Sequence, residues 1–125
     1  MSSQTVVGLW LSVLDKVSKD PRVLEEIKDL SMAIVLYFTD INAALSITIA
    51  GGKLSFQEGE SSGYESKVSF DSKVFEGVVT GDVQPMKAMQ KRKILIDGPI
   101  GPMMNLLYLL PALKDNLQKT REGDM

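Results

Sequence analysis

A chain of 125 residues, 44% hydrophobic and 24% charged, has the size and balance of one globular domain, and its formal net charge of −2 argues against nucleic-acid binding, which needs a basic face. It holds no cysteine and no histidine, which excludes disulfides, thiol nucleophiles, Ser-His hydrolysis and the ordinary zinc, haem and iron–sulfur sites. Carboxylates, lysines and tyrosines are left as acids, bases or nucleophiles, and no spacing of them forms a site, so the expectation is a protein without enzymatic activity or cofactor.

Val6, Val7, Trp10, Leu14 and Val17 recur at three and four, which predicts an amphipathic helix over 6–19. No basic segment precedes it, and the longest greasy stretches, 6–14 and 103–113, fall short of the roughly 20 residues a membrane span needs; a cytoplasmic protein is expected. Asp20-Pro21 supplies a cap and a first-turn proline for a second helix carrying Val23, Leu24, Ile27 and Leu30. The unbroken apolar run 32–39 predicts a central strand covered on both faces. Alternation over 45–49, a Gly51-Gly52 turn and alternation over 54–56 predict a hairpin, a polar loop follows over 58–63, and 64–70 alternates again as a fourth strand.

Asp71 is placed to cap a helix over 72–80 with Val74, Phe75, Val78 and Val79 inward, stopped by Gly81. Gln84-Pro85 opens another helix, on which Met86 and Met89 share a face, before a short strand over 94–96 closed by Gly98-Pro99. A leucine-rich helix over 102–119, bent or broken at Pro111, ends the domain, and 120–125 is expected to fray as a flexible tail. Residues 1–119 are therefore expected to form one domain.

Four of the seven methionines lie between Met86 and Met104, and a segment apolar nearly all round follows them. Flexible, polarizable methionine suits a cavity for varied apolar ligands, whereas ordinary packing of one buried helix explains the same stripe. The adjacent run Lys87, Lys91, Arg92 and Lys93 fits either an anionic head group or a solvated helix end. Gly81, Gly98 and Gly101 lack the spacing of a phosphate-binding loop, and Asp71, Asp82 and Asp97 sit at element ends, where capping accounts for them.

The ordered set Phe70-Asp71, then 75–89 with Thr80-Gly81 and Pro85-Met86-Lys87-Ala88, then Ile94-Leu95-Ile96-Asp97-Gly98 and the leucine helix over 106–113, resembles the sterol carrier protein type 2 family. Roughly residues 30–115 follow that pattern. The resemblance implies an α+β fold: a five-stranded mixed sheet with helices packed on one face around an apolar tunnel that holds fatty acids, acyl-CoA esters, sterols or similar lipids. It places Phe70, Phe75, Val78, Met86, Met89, Ile96, Met103, Met104, Leu107 and Leu110 at the tunnel; with Met86 and Met89 in its wall, the neighbouring Lys87, Lys91, Arg92 and Lys93 are expected as a head-group rim. It thus implies lipid binding and transport without catalysis, with a hydrophobic small molecule as partner and at most transient membrane contact. The alternative is an interaction or homodimerisation module that uses the same apolar C-terminal surface. Arg92 departs from the glycine many members carry before the last strand, and Gly123-Asp124-Met125 departs from a Ser-Lys-Leu-like peroxisomal tripeptide.

Overall fold

The computed structural model describes residues 3–123, and its local signals are largely those of the caps. Helix α1 (Ser3–Lys19) gives way at Asp20, whose extended backbone and side chain, accepting from the Arg22 amide at 3.0 Å, start α2 (Pro21–Ile27). Four strands follow, β1 (Met32–Phe38), β2 (Ala43–Ala50), β3 (Lys53–Glu58) and β4 (Ser66–Phe70). The chain then runs through α3 (Ser72–Thr80), α4 (Pro85–Gln90), β5 (Ile94–Asp97), α5 (Gly101–Leu107) and α6 (Leu110–Gly123).

The five strands form one mixed sheet in the order β3-β2-β1-β4-β5. β1 lies at its centre, antiparallel to β2 with Ile34 opposite Ile47, and parallel to β4 with Leu36 opposite Val68 and Phe38 opposite Phe70. Strand alternation sends Ile34, Leu36, Phe38, Leu45, Ile47, Val68 and Phe70 to one face, where all are buried. α1 packs there against β2 and β3, α2 against β3, α5 against β1 and β4, and α4 against β5, while α6 packs on α1 and α3. The predicted mixed sheet with helices on one face is thus the observed architecture.

The run 32–39 is apolar on both sides for a second reason. Val35 points away from the helices yet is fully buried, and its partner across the strands, Ser46, is buried too. The polar β3–β4 loop is tied over this point: the Ser46 hydroxyl donates to the Gly59 carbonyl at 2.6 Å and accepts from the Ser61 amide at 2.8 Å. A loop therefore covers the centre of the second face.

The structure redraws the C-terminal segment. The helical segment expected over 102–119, bent or broken at Pro111, is broken: two helices meet at Tyr108 and Leu109, so the break falls just before Pro111, which lies in the first turn of α6, where its missing N–H costs nothing. The flexible tail expected from residue 120 is helical as far as Gly123: Thr120 is buried, its hydroxyl donates to the Asn116 carbonyl at 2.7 Å, and Arg121 pairs with Glu76 of α3. The last two positions of that expected tail, 124 and 125, lie outside the described residues. Gln84 occupies the cap position of α4 without a side-chain capping bond, unlike Asp20 before Pro21, because glutamine is not among the short side chains that reach back to the first-turn amides.

Candidate functional site

The helices that follow β4 are held in place by a series of local devices, and together they enclose a void against the sheet. α3 is pinned at its start twice. Asp71 accepts from the Lys73 amide at 2.7 Å, and Asp40, from the β1–β2 loop, accepts from the Ser72 amide at 2.9 Å and the Ser72 hydroxyl at 2.6 Å. Burial pushes the Asp40 carboxyl up, but the bonds from Ser72 and the charge of Lys73 outweigh it and hold it below the usual carboxylate range. With its start fixed, α3 turns Phe75 into Trp10, ring centroids 4.6 Å apart and edge to face, and into Phe70 at 5.1 Å.

α3 ends where Gly81 adopts a left-handed conformation and donates to the Gly77 carbonyl. The chain doubles back so closely that a Cβ on Gly77 would stand 2.5 Å from the Val83 side chain. This turn delivers Pro85 to the wall of the void. α4 is closed by Lys93 donating to the Ala88 carbonyl at 2.8 Å around Arg92, whose φ is 60°. A left-handed residue is what a glycine would supply here, which gives the physical reason for the residue the resemblance expects at this position. β5 then lays Ile94 opposite Phe70 and ends at Gly98, with φ of 111°; a Cβ there would come within 2.6 Å of the Glu65 carbonyl. The Ser66 hydroxyl donates to the Pro99 carbonyl across the same junction, which aims α5 over the sheet.

The resulting cavity has a floor of Leu36, Val68 and Phe70 from the sheet, and walls of Phe75 and Val78 from α3, Pro85 from α4 and Ile94 from β5. Its roof is Met103, Leu106 and Leu107 of α5 with Leu110 of α6. Among the described residues every lining side chain is apolar, and no titratable group enters. Its volume is about 20 Å³, room for about one water and far below the several hundred Å³ of a typical ligand pocket.

Of the residues expected at the tunnel, Phe70, Phe75, Val78, Met103, Leu107 and Leu110 come together here, and four do not. α4 is under two turns long and buries Ala88, so Met86, two positions away, projects outward and is 54% exposed, while Met89 packs half-buried beside the core. Met103 and Leu106 form the inward stripe of α5, leaving Met104 partly exposed on the other side. Ile96, near the end of the edge strand, is half-buried against the core beyond the cavity. The expected rim is also displaced: Lys87, Lys91 and Lys93 border a separate groove of about 300 Å³ with Asp82, Val83, Gln84 and Ala88, and Arg92 is exposed beside it. The sequence reading missed Leu36, Val68, Pro85, Ile94 and Leu106 as lining residues. Strand alternation with Phe70 signals Val68, and the three-residue step from Met103 signals Leu106.

Comparison with characterised protein sequences finds no match. Solved structures of the same fold are plentiful. A ubiquinone synthesis protein described as UbiJ-SCP2 aligns with a TM-score of 0.67 at 10% identity, over 87% of this chain and 95% of its own. Sterol Carrier Protein-2 from Aedes aegypti, in complex with the C16 fatty acid palmitate, aligns with a TM-score of 0.64 at 16% identity, over 91% of this chain and the whole of its own. A stereoselective inverting sec-alkylsulfatase from Pseudomonas sp. aligns with a TM-score of 0.64 at 14% identity over 69% of this chain, which spans only 14% of that enzyme's length. At such identities these are likenesses of fold. The SCP-2 sterol transfer family model, however, matches residues 11–111, most of the sequence, and the chain belongs to that family.

Proposed function

We propose that this protein binds a long-chain lipid by its apolar tail, between the sheet and the α5–α6 roof, and carries it without chemical change. The observation that carries this reading is the cavity itself: eleven apolar residues from seven elements converge on a void that no acid, base or nucleophile of the described residues enters. The palmitate bound to the Aedes aegypti protein supports a fatty acyl chain as the ligand class.

The cavity is too small for such a chain as it stands, so binding requires the roof to move. Burying a palmitate-length tail is worth roughly 0.8 kcal/mol per methylene, about 12 kcal/mol in all. Micromolar affinity needs about 8 kcal/mol, which leaves about 4 kcal/mol to offset association and separation of α5 from β1 and β4.

Trp10 reports on this directly, since it is the one tryptophan of the chain and is in edge contact with Phe75 of the cavity wall. Titration with palmitate should shift its emission saturably at one equivalent, and native mass spectrometry should show the same one-to-one adduct. An unchanged spectrum together with a lipid-free mass at saturating palmitate refutes the reading. A second reading, an interaction module, draws on the sulfatase, in which this fold is a small part of a longer chain. Under that reading the purified protein stays lipid-free and sediments as a dimer.

A further inference from the structure

The large apolar side chains that the fold leaves exposed are not scattered. Apart from Leu24, those of the described residues are Met86, Leu95, Ile100, Met104 and Tyr108, all within one stretch of the chain. Ile100, Met104 and Tyr108 are four apart, so they form a single stripe along the outer side of α5, exposed by 44%, 40% and 67%. No charged residue occurs in the chain from Gly98 to Leu113; at the far end of the stripe Tyr108 borders a groove with Arg22 and Glu26 of α2, one charge of each sign.

Beside this stripe in sequence lies the strongest positive concentration of an acidic protein. Lys87, Lys91, Arg92 and Lys93 are all exposed, and none has an ion-pair partner among the described residues. No acid occurs between Asp82 and Asp97; Asp82 borders the same groove as Lys87, Lys91 and Lys93 and offsets one charge of the four. α4 and α5 both border one cavity, which Pro85 lines from the first and Leu107 from the second. An apolar stripe next to unpaired cations has the chemistry of an interfacial segment, whose apolar side enters the acyl boundary while its cations meet anionic head groups.

We infer that the outer side of α5 and the basic run after Met86 form a docking face for an anionic lipid bilayer, with Tyr108 and Met104 inserted and Lys91, Arg92 and Lys93 on the head groups. Docking there would place the roof of the cavity against the membrane. The inference takes its purpose from the lipid-carrier reading but is tested without cargo, so the two fail separately.

The test is co-sedimentation of palmitate-free protein with vesicles of phosphatidylcholine alone or mixed with phosphatidylserine. Binding is expected only to the mixed vesicles and should weaken as salt is raised. Replacing three cations in K91Q/R92Q/K93Q should reduce it roughly a hundredfold, at about fivefold per cation near the surface. M104S/Y108S should reduce it about tenfold through lost insertion, with Trp10 emission unchanged as evidence of the native fold. Equal binding to both kinds of vesicle, no binding to either, or loss in only one of the two variants overturns the inference. So does a vesicle-free dimer that M104S/Y108S dissociates, since the stripe would then belong to a second copy of the chain.

Discussion

A carboxylate placed in the roof should separate cavity from surface, and the residue to carry it is Leu107, because Met104, expected at the tunnel, lies outside the lining. Leu107 is half-buried, so Leu107→Glu forfeits about half the burial of a leucine, about 1 kcal/mol, and the protein stays folded. Binding is affected far more. With the roof closed over a tail, the new carboxyl must be neutral or be desolvated, and neutralising a glutamate of ordinary pKa near 4.3 at about pH 7 costs about 4 kcal/mol, a several-hundredfold loss of affinity. At about pH 5 the same cost is about 1 kcal/mol. Affinity of the variant for hexadecanol, which has no titrating head, should therefore recover by about a hundredfold between those pH values, as followed by Trp10 emission. The wild type should stay level. Met104→Glu, on the outer side of α5, should bind hexadecanol within about twofold of wild type at both pH values, since its carboxylate stays in water. A Leu107→Glu protein that binds as the wild type does, or loses affinity without recovering at low pH, refutes the placement of the tail under α5.

Three further perturbations test the scaffold. Arg92 is left-handed, so Arg92→Gly should stabilise the protein by about 0.5–1 kcal/mol in urea denaturation, and a loss of stability would show that the Arg92 side chain holds the turn. Gly98→Ala should cost about 2–3 kcal/mol, read as a fall in melting temperature, because its φ of 111° is strained for alanine and the new methyl meets the Glu65 carbonyl; an unchanged melt would mean that the β5–α5 junction yields freely. Asp20 is held at about 2, first by the Arg22 guanidinium and further by the Arg22 amide and the Asn116 side chain, against the opposing effect of burial. Its folded pKa is depressed, so its contribution is complete above the unfolded value of 3.8 and is lost as pH falls from there through about 2. The linkage of about 2 kcal/mol shrinks to about 1 kcal/mol because Arg22 is largely exposed. Asp20→Asn should flatten the stability profile over that acid range, and an equally steep loss in the variant would assign it to other carboxylates.

The elements legible in the sequence are those whose causes lie within a few residues. Asp20-Pro21, Asp71 and Gly81 carry their capping chemistry in their own side chains or lack of one, and the structure places all three at helix ends. The centrality of β1 is legible because a strand buried on both faces shows no alternation, but the cover on its second face is not. That cover depends on Ser46 bonding Gly59 and Ser61, partners thirteen and fifteen residues away in an otherwise featureless polar loop.

The cavity shows the same division more sharply. Its floor follows from strand alternation, and Phe75 and Val78 follow from a helix long enough, at nine residues, to display a stripe. α4, at six residues, is too short for periodicity to choose between Ala88 and its methionine neighbours, and the choice is made by β5 packing against it. Methionine suits a cavity by its chemistry, yet of the described methionines only Met103 lines this one; the walls are mainly branched aliphatics and phenylalanines. Residue type points to the kind of ligand, whereas which stripe faces inward is decided by tertiary contact. Such a site is better located by the few side chains that fix helix direction, here Asp40, Gly77 and Gly98, than by the apolar residues that end up inside it, because many apolar residues could line a void and few backbones could build one.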